Sequence, residues 1–303
     1  MPLMSGSIAC TRYRVQSCPS EPTFDDYAFR EIPPGSEVRD RAGFVPMEPE
    51  APYEIGARRF AFRVRVDTVR PDATAVRERL QQLVRTELET SGLPFVGSKK
   101  RKHLKELAEE ELLPHTTPKT RIVEAVVDGD TLYVFTTATT MLGRVLVLAR
   151  QAGIVVEPWA PWLDGKTPEV ESPIVEAKEP GASVHGCRYL RELVGDRELT
   201  LEPVQGSVRL QTPEAKVTLS GAVLPEVLRY LERGAELISA KLTTGELGLR
   251  LDALNFRVSG LAVETSRHDH WTERLEERLG GVVAAWDLLD RKFEDLRPEI
   301  LRG

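Results

Sequence analysis

The nine positions from Gly97 to Lys105 hold Lys99, Lys100, Arg101, Lys102 and Lys105 and no acid. Cations at that density attract phosphate, because binding releases the counterions condensed on a nucleic-acid backbone. The block falls at the start of a helix expected over about 99–113, where the macrodipole already places positive charge. Glu106, Glu109, Glu110 and Glu111 follow at once. The same run therefore also reads as a solvated surface helix with Lys102–Glu106 and Lys105–Glu109 pairs. A second basic feature runs from Arg58 to Arg70, with five arginines against Asp67 alone. Phe60, Phe62, Val64 and Val66 alternate there with Arg59, Ala61, Arg63 and Arg65, the pattern of a half-buried strand over 59–69. Arg59, Arg63 and Arg65 then form a row with steps of roughly 6.5–7 Å, able to track phosphates without reading bases. An exposed sheet face neutralised by nearby glutamates is the other reading of that row.

Catalytic patterns are sparse. No G-x-x-x-x-G-K-[ST], G-x-G-x-x-G, G-x-S-x-G or H-E-x-x-H occurs. Glu214-Ala215-Lys216 and Glu176-Ala177-Lys178 match a nuclease-like E-x-K fragment, but neither has a placed partner acid. His268-Asp269-His270 has metal-ligating side chains without a third ligand at metal spacing, and Asp269 also reads as a helix cap. No cofactor is expected.

The elements that must position these residues follow from periodicity. Pro71-Asp72 opens a helix carrying Val76, Leu80, Leu83, Val84 and Leu88, which Ser91-Gly92 stops. Pro114 ends the basic helix, whose inner face is Leu104, Leu107, Ala108 and Leu112. Strands over 121–127 and 131–136 flank Asp128-Gly129-Asp130, a hairpin signal, and a helix over 138–151 follows. Residues 31–56, with Pro33, Pro34, Pro46, Pro49 and Pro52, read as an irregular approach. Residues 157–181 hold five prolines, six acids and two lysines, a composition that suits an exposed connector.

Short strands are expected near 199–204, 207–211 and 215–219, a helix over 225–233, and strands near 236–243, 247–251 and 254–260. A long helix from His270 carries Leu275, Leu279, Val282, Trp286, Leu289, Phe293 and Leu296 at alternating spacings of four and three. That narrow seam serves either the chain's own core or a dimer. The fold class is α+β: an N-terminal strand-helix-helix-hairpin-helix half with a protruding helical lobe, and a C-terminal mixed half ending in the long helix. The corresponding regions are 1–153, with the lobe at about 72–114, a connector at 154–185, and 186–303.

Composition limits the function classes. The 303 residues include 41 Lys+Arg and 47 Asp+Glu, a net charge of −6, which excludes a uniformly basic, histone-like binder but not a basic patch. No run of 18 apolar residues occurs, so no membrane span is expected. The first ten residues lack a basic leader and a long apolar stretch, so neither secretion nor lipid attachment at Cys10 is expected. Cys10, Cys18 and Cys187 make an odd set without a C-x-x-C pair and read as reduced thiols of a cytoplasmic protein.

Gly97, Lys99, Lys102, Leu104-Lys105-Glu106 and Glu111-Leu112-Leu113-Pro114 resemble a stretch of the bacterial recombination-associated RdgC family. The order of Arg12-Tyr13-Arg14-Val15, Gly43-Phe44-Val45-Pro46, the Asp128-Gly129-Asp130 hairpin, Pro161-Trp162-Leu163-Asp164-Gly165 and Tyr230-Leu231-Glu232-Arg233-Gly234 agrees with it. The likeness covers most of the chain and is sharpest over 97–114. It implies a non-enzymatic, cytoplasmic, nucleoid-associated protein that forms a ring-shaped homodimer with a basic central hole. Such a protein binds duplex DNA with little sequence preference, with single strands a further target, and restrains RecA-dependent recombination. His115-Thr116-Thr117 stand where the family places an aromatic, Ala235-Glu236 replace a Lys-Gln, and 251–256 lack the family's basic residues. Fewer phosphate contacts flatten the salt dependence of binding. The expected DNA-binding residues are therefore Arg59, Arg63, Arg65, Lys99, Lys100, Arg101, Lys102 and Lys105. The alternatives are a metal-dependent DNA exonuclease and a dimeric recombination scaffold without DNA binding.

Overall fold

The computed structural model describes residues 3–33, 35–245 and 247–302, so the expectations at Met1, Pro2 and Pro34 lie outside the described residues. The class is α+β, as the sequence indicates, with antiparallel strand pairing and a long C-terminal helix. The chain divides into two compact units: Met1–Thr23, Pro46–Phe62 and Val123–Gly303 form the first, Phe24–Val45 and Arg63–Ile122 the second. Among the described residues, no helix is long and apolar enough to cross a membrane.

The second unit contains β2 (Asp40–Val45), the Arg63–Thr68 part of β4 (Arg59–Thr68), α1 (Ala73–Ser91), α2 (Ser98–Leu112) and the start of β5 (Lys119–Asp128). α1 begins and ends where its signals stand. Asp72 Oδ1 accepts from the Thr74 and Ala75 amides at 2.8 and 3.1 Å, and Gly92 closes the helix at φ 63°. β2 pairs with β4 from Asp40 opposite Thr68 to Val45 opposite Arg63. Gly43 is required there, because a Cβ would meet the Phe29 backbone at 2.4 Å.

The first unit is built on strands ordered β10-β9-β11-β12-β13-β1-β6-β5. These are β1 (Ile8–Ser17), β6 (Thr131–Val134), β9 (Ser207–Gln211), β10 (Lys216–Ser220), β11 (Glu236–Thr243), β12 (Gly248–Asp252) and β13 (Arg257–Leu261), with the Val123–Asp128 part of β5. The short β3 (Glu54–Gly56), β7 (Val155–Pro158) and β8 (Thr200–Leu201) pair with β4, β1 and β11. Its helices are α3 (Thr139–Gln151), α4 (His185–Glu192), α5 (Leu224–Glu232) and α6 (Trp271–Arg302).

The seam of α6 lies in this unit's own core. Leu275, Val282, Leu289 and Phe293 are fully buried, Trp286 is 1% exposed, and α4 packs on the helix with Tyr189 donating to the Leu289 carbonyl at 3.0 Å. The reading of that seam as a dimer surface is thereby corrected: its apolar area is already covered. Gly281 is part of the reason the helix fits, since a Cβ would strike the Val263 side chain at 2.6 Å. The proline- and acid-rich stretch is stitched into the same unit, with β7 paired to β1 and Trp162 buried against Phe256 and Phe293.

Two further expectations are corrected. Residues 31–56 are not wholly irregular, because β2 and β3 lie within them. The elements expected from periodicity start at Arg59, whereas the strand β1 already starts at Ile8. β1 escapes a period-two reading because residues 8–13 are buried on both faces. One of these is charged: the Arg12 guanidinium pairs with Asp290, at 2.7 Å through Nη1, and stacks 4.4 Å from the Trp286 ring. A buried arginine in a strand is masked in sequence by looking polar.

Candidate nucleic-acid interface

Each expected cation has a distinct environment. In the first unit, Arg59 lies between two carboxylates, Asp128 at 2.8 Å and Glu276 at 2.8 Å. The hydrogen bond to Glu276, with Asp128 beside it, holds the guanidinium above its ordinary pKa. In the second unit, Arg65 grips Asp67 through two bonds of 3.0 and 2.7 Å and stacks 4.3 Å from the Phe29 ring. Its hydrogen bonds push the buried Asp67 carboxyl below the usual range. Arg63 is half-buried and engaged as well. Arginines so compensated have little field left for a phosphate.

The Lys99–Lys105 block is exposed on α2 and more loosely held. Lys100 lies 3.3 Å from Glu87 of α1, and Lys102 and Lys105 reach Glu106 and Glu109 at 3.9 and 3.5 Å. Exposed pairs of this kind exchange readily with solvent and are worth a fraction of a kcal/mol. Among the described residues, Lys99 and Arg101 have no carboxylate partner, and α2 has neither a capping side chain nor an acid in its first turn.

The first unit brings together four cations that the sequence alone does not single out. Strand pairing fixes which side chains share a face, because residues directly opposite point the same way. Lys216 and Thr218 of β10 face Gln211 and Arg209 of β9, and Arg209 faces Ser239 of β11. Two residues on, Lys241 faces Arg250 of β12, which in turn faces Ser259 of β13. Arg209, Lys216, Lys241 and Arg250 therefore stand on one sheet face, while Val208, Leu210, Leu242, Leu249 and Leu251 fill the other.

Among the described residues, none of the four has a carboxylate partner. Two acids share the face but are otherwise occupied: Asp252 accepts from Asn255, and Glu236 accepts from Ser172 at 3.3 Å. Arg250 donates to the Ser207 hydroxyl at 2.6 Å. Burial, and then the like charge of Arg209, hold its pKa below the usual arginine value. The Lys241 stem crosses Gly206, where a Cβ would approach Lys241 Cβ to 2.8 Å. Ser207, Thr218, Ser220 and Ser259 add hydroxyl donors between the charges. The arrangement can hold several anionic oxygens side by side.

The nuclease-like fragments acquire no such surroundings. Glu176 and Lys178 pair with each other at 3.0 Å, both largely exposed. His268 is taken by Glu277 at 2.7 Å, and among the described residues no group of three or more His, Cys, Asp and Glu could hold a metal ion. Cys10 and Cys187 are buried free thiols, and burial pushes Cys10 up to about 12.

Period-two polarity in 207–211, 216–220 and 248–252 is the available signal for the sheet-face cations, but each strand carries only one of them. Comparison with known protein families gives no matching family model, and no curated protein matches the chain.

Proposed function

We propose that the chain is a sequence-tolerant duplex-DNA-binding protein that acts without catalysis, as a homodimer, and modulates RecA-dependent recombination at the nucleoid. The observation that carries the DNA reading is the set Arg209, Lys216, Lys241 and Arg250, uncompensated on one sheet face among the described residues. Strands lie about 4.8 Å apart, so the four span roughly 14 Å from β10 to β12, a width that meets neighbouring phosphates. Cations and hydroxyls on a sheet hold backbone oxygens and carry no base code, which favours tolerance of sequence. Exposed Lys99 and Arg101 supply a second, separate contact.

An acidic chain repels DNA as a whole, so local basic faces must act together to overcome that field. Two-fold association duplicates them at no cost in new sequence. The recombination role rests on the RdgC-like motifs around 97–114.

An electrophoretic titration of unrelated duplexes and of single strands, with and without magnesium, tests the reading. Similar affinities on all duplexes, falling steeply with salt, support it. Absence of binding at low salt overturns it, and magnesium-dependent loss of DNA would replace it with the exonuclease reading.

A further inference from the structure

A cleft of about 530 Å³ in the first unit shares no lining residue with the four sheet-face cations described above and is lined by α3, β7, the Glu179-Pro180 turn and the first residue of β13. Its walls are Leu142, Leu146 and Val147 of α3, with Ile154, Val155 and Pro180. Three observations mark it as a place prepared for an occupant rather than a packing gap.

The first is Gly143, in the middle of α3. Glycine inside a helix is destabilising relative to alanine and is kept where something requires it. Nothing among the described residues does: a Cβ there meets no atom within 4 Å, and the position lines the cleft. The missing side chain keeps the cleft open. The second is Tyr13, which is 7% exposed and also lines the cleft. Among the described residues its hydroxyl has no hydrogen-bond partner, so a free donor stands at the cleft wall. The third is charge. Arg257 is spoken for by Glu179, through Nη2, and by Thr139 at 3.3 Å, and Arg14 lies 3.8 Å from Glu157. Arg150 at the rim is exposed and, among the described residues, has no carboxylate partner.

We infer that this cleft docks a peptide segment of another protein, one that places a leucine or aromatic side chain beside acidic residues. The apolar side chain fills the space over Gly143, a peptide carbonyl accepts from Tyr13, and a carboxylate meets Arg150. The walls are themselves open to solvent, Val147 being 59% and Val155 42% exposed, so an extended segment lying along them suits the site better than an enclosed small molecule. β7 pairs with β1 alone among the described strands, so its second edge offers backbone groups for such a segment.

The test uses the full chain and a fluorescein-labelled Asp-Asp-Asp-Leu-Phe peptide, followed by fluorescence anisotropy, with Lys-Lys-Lys-Leu-Phe as the charge-reversed control. Wild-type protein is expected to bind the acidic peptide at least tenfold more tightly than the basic one. Gly143→Leu fills the cleft and Arg150→Glu reverses the rim charge, and each is expected to weaken the acidic peptide at least tenfold. Gly143→Leu should melt at the wild-type temperature or above, which separates lost binding from lost folding, and the exposed Arg150→Glu keeps the test valid if it does not. No binding by wild-type protein up to millimolar peptide, equal binding of both peptides, or binding untouched by both variants each overturns the proposal.

Discussion

Lys241 and Arg250 stand directly opposite each other across the β11–β12 ladder, two like charges with no carboxylate between them among the described residues. Such a pair opposes folding, by about 0.5 kcal/mol for a cross-strand contact. On the proposed function, the pair exchanges stability for an anion site. Replacing either residue with Thr should therefore raise thermal stability slightly while weakening duplex DNA on every sequence alike. Each lost phosphate contact lowers the log–log salt slope by about 0.9. Unchanged affinity in the Lys241→Thr, Arg250→Thr double variant would remove this face from the interface.

The helical block makes a separable contribution. Replacing Lys99, Lys100, Arg101 and Lys102 together with Ala removes exposed charges whose partners are loose, so the circular dichroism spectrum should not change. DNA affinity should fall less than in the sheet-face double variant. A larger fall would make α2 the principal contact.

Arg59 is expected to matter for stability and not for DNA. Its carboxylate partners Asp128 and Glu276 belong to the same unit, and Arg59→Ala leaves both unpaired. Solvent screening limits the loss to about 1 kcal/mol, readable as a shift in the denaturation midpoint. A marked loss of DNA affinity from this variant would restore the arginine strand as a phosphate track.

His185 should make the first unit sensitive to mild acid. It is 1% exposed, and its Nε2 lies 2.7 Å from the Pro168 carbonyl. Burial, against that hydrogen bond and with Arg188 and Arg297 nearby, holds its pKa below the ordinary value. Above about 6.5, the ordinary value of an unfolded histidine, both folded and unfolded states are neutral and stability is indifferent to this group. Below it the unfolded chain takes up a proton that the folded chain refuses, so stability falls with falling pH until the folded value is reached. Denaturation midpoints of wild type and His185→Gln between pH 7 and 5 should diverge in slope, with the variant the flatter. Parallel curves would exclude His185 as the source.

The proposed association has to use a surface other than the α6 seam. Leu289 is fully buried within its own unit, so Leu289→Asp should unfold the first unit, at a cost of about 3 kcal/mol or more, rather than yield a folded monomer. Light scattering of the wild-type protein should give about twice the 33.9 kDa chain mass. A monomer that still binds DNA tightly would reject the dimeric part of the proposed function.

Signals confined to a few residues are legible in the amino-acid sequence by itself. Asp72 and Gly92 mark the ends of α1, the Asp128-Gly129-Asp130 turn joins β5 to β6, and the four-three spacing defines α6. These depend on backbone conformations and periodicities that a short segment expresses alone, so the α+β class follows from them. The function of each face does not. Whether Leu275–Leu296 meets a partner or its own sheet depends on what packs against it, and only folding supplies α4 and the strands. Whether an arginine is free depends on distant acids: Glu276 lies 217 residues from Arg59 and Asp290 lies 278 from Arg12. The sheet-face set is likewise scattered in the linear chain, because Arg209, Lys216, Lys241 and Arg250 come from four strands. Strand register, a long-range property set by packing, places them side by side.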